Sequence, residues 1–256
     1  MAVNAGIVYE NHVKNILSNT IVTQGLHRVQ LLDDGGNGNF NSHDTDLKLS
    51  VAGLPIDIEI KGKGAQMGET SFRYHPDTGF EPAKDHLDQG FVELVRTNAL
   101  IPIRSHIDEL LKFFRSYDPE PFHESVKEIP FRVTRSAWIS ARKEGLLIPI
   151  AKIFPFSASL ITDHYNNKCG GVFYIQIERK GLFYMGKNPL NLPIPPLEGN
   201  INVEVRLKRS GSVVAKSIGQ KVASATLIVV GRLKNDAVSP ISLDSPEKIT
   251  QLFENI

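Results

Sequence analysis

Two alternating runs, Asp46-Leu47-Lys48-Leu49-Ser50-Val51 and Ile56-Asp57-Ile58-Glu59-Ile60-Lys61, flank the short link Ala52-Gly53-Leu54-Pro55. In each run every second residue is apolar, the period of a strand with one face buried. The pattern predicts an antiparallel hairpin with a four-residue loop, Ala52 to Pro55, and Val51 paired with Ile56. Leu47, Leu49, Val51, Ile56, Ile58 and Ile60 then cover the buried face, and Asp46, Lys48, Ser50, Asp57, Glu59 and Lys61 cover the other. In that register Asp46 lies opposite Lys61 and Lys48 opposite Glu59. Side chains directly opposed in an antiparallel pair come within about 5 Å, so Asp46, Glu59 and Lys61 are expected to meet at one end of the hairpin.

That convergence has a chemical use. Neighbouring carboxylates repel unless a cation stands between them. Mg²⁺ suits such a place, because it takes oxygen ligands, keeps several waters and binds substrate phosphates; Mn²⁺ is the alternative ion. The bland counterpart is an amphipathic hairpin whose charges make cross-strand ion pairs in water.

Working outward, residues 5–18 read as a helix with Ile7, Val13, Ile16 and Leu17 on one side. Glu10 falls on the apolar side of this helix, in line with Gly6, Val13 and Leu17, where a carboxylate needs a partner. Residues 33–45 are a Gly/Asn-rich polar loop, and 62–90 read as a long loop. Residues 91–117 are mainly helical, with Ile107, Leu110, Leu111 and Phe114 at helical spacing. Residues 134–144 read as either a short basic helix or a strand. Strands are expected at Val172–Glu178, Leu182–Met185, Asn202–Leu207 and Ala225–Leu233, with a turn at Ser210-Gly211-Ser212. The order helix, hairpin, helix, then mostly strands places the chain in the α/β or α+β class.

Composition narrows the function classes. A single cysteine, Cys169, among 256 residues excludes an internal disulfide framework and a multi-cysteine zinc site. It suits a reducing compartment, and a cytoplasmic location is expected. No signal peptide and no run of eighteen apolar residues is seen, so no membrane association is expected. There is no Walker A loop, His-Glu-x-x-His or Gly-x-Ser-x-Gly motif. The formal net charge of +1 hides an asymmetry: residues 1–100 carry 8 basic and 13 acidic side chains, residues 101–256 carry 21 and 15. Between Val205 and Asn235 there are seven basic residues and no acid. An acidic half suits a cation and a basic half a polyanion.

Asp46, a hairpin turn, then Glu59-Ile60-Lys61 resembles the PD-(D/E)XK nuclease superfamily, in which an acid opens one strand and (D/E)-x-K ends the next. The resemblance covers about residues 5–66. Thr45 stands where that family often has proline, and Asp44 and Asp57 are rival acids. The resemblance implies a restriction-endonuclease-like core, a mixed sheet flanked by helices, with a strand-rich C-terminal half. It implies Glu10, Asp46, Glu59, Lys61 and Gln66 as catalytic residues, with Glu10, Asp46, Glu59 and the Ile60 carbonyl on the metal. The implied activity is Mg²⁺-dependent DNA cleavage by a restriction-like, dimeric endonuclease. A junction resolvase or phage-type processing nuclease is the alternative, and a non-catalytic nucleic-acid-binding protein the alternative of another class. Candidate nucleic-acid contacts are Lys63, Arg135, Arg206, Lys208, Arg209 and Lys216. The chain is divided as 1–120, the N-terminal part of the nuclease core, and 121–256, a strand-rich basic half expected to contact DNA, either separate or integrated in the same domain.

Overall fold

The fold was read from a computed structural model that describes residues 5–32, 46–62, 64, 66–83, 92–93, 95–117, 126–147, 155–157, 162–163, 165–166, 171–215, 219–234, 237–254 and 256. Two compact units interleave along the chain, whereas the sequence reading set its boundary between residues 120 and 121. The first comprises residues 1–66, 157–200 and 233–256, the second residues 67–156 and 201–232. The chain is mixed α/β with two sheets. No described helix is long and apolar enough to cross a membrane.

The first unit is built on a five-stranded sheet. Its strands are β1 (Val29–Leu31), β2 (Leu47–Val51), β3 (Leu54–Lys61), β8 (Tyr174–Ile177) and β9 (Gly181–Tyr184), in the spatial order β1-β2-β3-β8-β9. All neighbours are antiparallel except β3 and β8, so the sheet is mixed. Helix α1 (Ala5–Thr23) runs five residues beyond the expected end and buries Tyr9, Val13 and Leu17, a row spaced by four. These residues pack on Leu47, Leu49, Val51, Ile56, Ile58 and Ile60, the six apolar positions expected to share one face of the hairpin. A C-terminal helix, Pro246–Phe253, adds Ile249, Leu252 and Phe253 to the same core. It starts at Ser245, whose hydroxyl accepts from the Lys248 N–H, with proline in the first turn.

The hairpin register differs from the expectation. Val51 pairs with Leu54, Lys48 with Asp57 and Leu47 with Ile58, so the loop is the two residues Ala52 and Gly53. Both have positive φ, 52° and 82°, as a tight primed turn matching strand twist requires. Leu54 and Pro55, assigned to the loop from sequence, are the first residues of β3. The shift of two residues keeps every side chain on its expected face but changes who faces whom. Carried one step past Leu47–Ile58, the register sets Asp46 across from Glu59, not Lys61.

The second unit holds a sheet of β4 (Gln66–His75), β5 (Gly79–Pro82), β6 (Phe131–Thr134), β7 (Pro155–Ser157), β10 (Asn200–Ala215) and β11 (Gln220–Lys234). Residues 66–82, expected within a loop, form the hairpin β4–β5, with Thr70, Phe72, Tyr74 and Phe80 buried. Helix α2 (Arg104–Tyr117) buries Ile107, Leu110, Leu111 and Phe114 as expected, after a π turn and a 3-10 turn that takes in Pro102. Residues 135–143 resolve as a helix, α3 (Arg135–Lys143), capped by the Thr134 hydroxyl on the Ala137 N–H. Trp138 stacks on Phe114. Ser210-Gly211-Ser212 is not a turn: β10 runs through it, with Gly211 at φ 65°. A left-handed glycine inside a strand is a device for bending it, not only for ending it.

Ala52 carries a side chain in a conformation that costs non-glycine residues about 1–2 kcal/mol and that asparagine tolerates better. Ala52→Asn is therefore expected to stabilise the protein by about 0.5–1 kcal/mol, read as a higher urea midpoint at unchanged slope. A lower midpoint would contradict the turn.

Candidate active site

β2 and β3 bring two carboxylates to one ammonium. Asp46 Oδ2 accepts from the Ile60 N–H at 2.8 Å, and Lys61 Nζ lies 3.5 Å from the same oxygen. Lys61 Nζ also contacts Glu59 Oε1 directly. The reason is local. β2 stops at Leu47, so the Ile60 N–H on that side has the Asp46 carboxylate as its acceptor. Glu59 and Lys61, two apart on one strand, necessarily share a face. The Lys61 carbonyl accepts from Glu178 N–H on the β8 side at 2.8 Å. Strand alternation therefore turns the Ile60 carbonyl toward the β2 side, the side of Asp46.

Burial sharpens these charges. Glu59 is 7% exposed, and the Asp46 and Lys61 side chains about a fifth exposed. Burial works against the Lys61 charge, yet the ammonium is held well above the usual lysine range by Tyr165, Glu59 and Asp46. Glu10, half-buried beside the Tyr9–Val13–Leu17 row, is pushed up by burial first and then by the charge of Asp46; Lys61 and Lys14 pull it down, and Glu59 adds a further upward push. Glu10 thus lies in the field of the Asp46–Glu59–Lys61 group.

A buried polar network holds α1 against the sheet. Gln176, fully buried on β8 and in register with Ile60, donates to the Tyr9 hydroxyl (2.9 Å) and to Ser242 Oγ (2.8 Å). Its carbonyl accepts from Leu243 N–H at 3.0 Å, and Tyr9 donates to Asp244 Oδ2 at 2.7 Å. Burial and then Asp244 push the Tyr9 phenol far up, so it stays a donor. A buried network with its members satisfied specifies one arrangement, and this one fixes the residue next to Glu10.

Among the expected site residues, Asp46, Glu59 and Lys61 are in contact, and Glu10, on α1 of the same unit, is linked to them through the effect of their charges on its carboxyl. Asp57 faces Lys48, two ladder steps further from the site. Gln66 opens β4, but its side chain lies outside the described residues, as do Lys63, Lys216, Asp44 and Cys169. Arg135, Arg206, Lys208 and Arg209 belong to the second unit. Arg135 and Lys208 are exposed; Arg206 lies 3.6 Å from Glu204, which also holds Arg232 at 3.0 Å. Among the described residues no three acidic, histidine or cysteine side chains are grouped closely enough to form a metal cage on their own. Tyr165 and the Gln176 network escaped sequence reading. Neither carries a local motif, and each meets its partners only through the parallel pairing and chain return of the fold.

No family model, curated protein or solved structure matches the chain.

The raised carboxyl of Glu10 fixes the sign of a pH effect. A carboxyl whose folded value lies above its unfolded value favours the folded state at low pH and loses that contribution as pH rises through the folded value. Glu10→Gln is expected to melt above the wild type at pH 7. The gap should close as pH falls below the ordinary carboxylate value of 4.5. An unchanged gap across that range would show that the Glu10 carboxyl is not raised in the folded protein.

Proposed function

We propose that the first unit is a PD-(D/E)XK nuclease core and that the protein is a metal-dependent deoxyribonuclease, restriction-like in action. The observation that carries the reading is the meeting of Asp46, just before β2, and Glu59, on β3, at the Lys61 ammonium. The mixed sheet with α1 and the C-terminal helix on it agrees with the core that the resemblance implies.

The donor set fits Mg²⁺ or Mn²⁺. Two carboxylates already share a cation, and Glu10 feels both of them. Mg²⁺ needs only one or two carboxylates beside water and phosphate oxygens. Asp46, Glu59, Glu10 and the Ile60 carbonyl would hold the ion. Bound there, it would supply Lewis acidity at the scissile phosphate and a more acidic water. Asp46, tied to the Ile60 N–H, keeps the (D/E)-x-K strand end in place. Lys61 presents a point charge with three donors, suited to a non-bridging phosphate oxygen or to holding the attacking water. In the hydrolysis the water oxygen forms the new bond to phosphorus, the bond to the leaving oxygen breaks, and that oxygen takes a proton. The basic residues of β10, with Lys208 and Arg209 beside the Glu204-paired Arg206, would supply phosphate contacts that lend binding its salt dependence.

The test is cleavage of duplex, single-stranded and branched DNA by the full chain in Mg²⁺. Wild type is expected to cut at least one of these, and EDTA to abolish cutting. Asp46→Ala and Lys61→Ala are each expected to lower the rate by about a hundredfold or more. DNA binding without cleavage of any substrate would overturn the enzyme reading in favour of a non-catalytic binder. Sequenced product ends would separate site-specific from structure-specific cutting.

A further inference from the structure

The Lys61 ammonium touches both carboxylates that the nuclease reading gives to the metal ion. It contacts Glu59 Oε1 directly and lies 3.5 Å from Asp46 Oδ2, while the Asp46 oxygen keeps its bond to Ile60 N–H. One positive charge therefore already screens the repulsion between two carboxylates that the register sets face to face. A divalent ion drawn to the same oxygens meets a rival. Lysine suits that part, because its ammonium is a compact charge on a flexible stem and can leave the pair without breaking the backbone.

We propose that Lys61 is the built-in counter-cation of the Asp46–Glu59 pair: it competes with the divalent ion for these carboxylates and is released toward the substrate phosphate when the ion binds. This inference rests on the nuclease reading and deepens it. It makes the lysine a gate as well as a phosphate contact, since its charge becomes available to DNA only after the metal has taken its place. It also gives the metal-free protein a reason to fold around two opposed carboxylates. The same competition weakens metal affinity, so removing the ammonium strengthens metal binding while it removes catalysis. A lysine that merely supported the site would have the opposite effect.

The experiment is calorimetric titration of the full chain with MgCl₂ and with CaCl₂, in the absence of nucleic acid. Wild type, Lys61→Met and Lys61→Arg are compared. Lys61→Met removes the charge and keeps an unbranched chain; Lys61→Arg keeps the charge. The expected result is about tenfold tighter binding to Lys61→Met than to wild type, the worth of one partly buried ion pair, with Lys61→Arg close to wild type. Thermal melts in the same ions guard against misfolding: Lys61→Met should melt lower than wild type without metal and gain more from it. Equal or weaker binding by Lys61→Met would overturn the counter-cation role and leave the nuclease reading standing. Absence of divalent binding by all three proteins would overturn both.

Discussion

The two-residue turn at Ala52 and Gly53 is the constraint on which the site depends. A hairpin closed there pairs Val51 with Leu54 and, five ladder steps away, brings Asp46 across from Glu59. Any change of register by one residue would send the polar set into the helix-packed face. The turn therefore settles both which face is buried and which carboxylates confront each other. β2 ends one residue after Asp46 in the direction of that confrontation, and the Asp46 side chain continues the ladder by taking the Ile60 N–H.

Around that constraint the first unit separates its chemistry by face. One face of the sheet is covered by α1 and the C-terminal helix and is apolar apart from the Gln176–Tyr9–Ser242–Asp244 network. The other carries Asp46, Glu59 and Lys61. Placing Glu59 in a nearly dry setting strengthens its attraction to the lysine but also raises the cost of leaving it unpaired. Glu10 reaches the same field from α1, and the network on the adjacent residue Tyr9 holds that helix to β8. Two separate parts of the unit, a hairpin and a helix tethered through a buried amide, thus carry the acidic groups whose charges meet around Lys61.

Much of this was legible in the chain. The strict alternation in 46–61 sorted the buried from the polar face correctly, because period-two patterning survives a register error of two. The register itself was misread: Leu54 and Pro55 look like loop residues, and an alanine at φ 52° gives no sign that it occupies a primed turn. The β4–β5 hairpin was missed although Thr70, Phe72 and Tyr74 alternate before Pro76-Asp77-Thr78-Gly79; polar neighbours and Gly68 masked the period. The candidate carboxylates were named from local spacing. Tyr165, Gln176 and Asp244 were not, since their roles come from contacts between segments more than sixty residues apart in the chain. The linear division at residue 120 likewise gave way to interleaved units, because β8, β9 and the C-terminal helix return to the sheet that the first sixty residues begin.

The most direct measurement is a crystal of the full chain grown or soaked with Mn²⁺ and examined for anomalous scattering. The account predicts a strong peak within coordination distance of Asp46 and Glu59, on the side of Glu10, with the Lys61 ammonium moved off the carboxylates. A saturating soak that leaves Lys61 bridging Asp46 and Glu59, with no peak beside them, would contradict it.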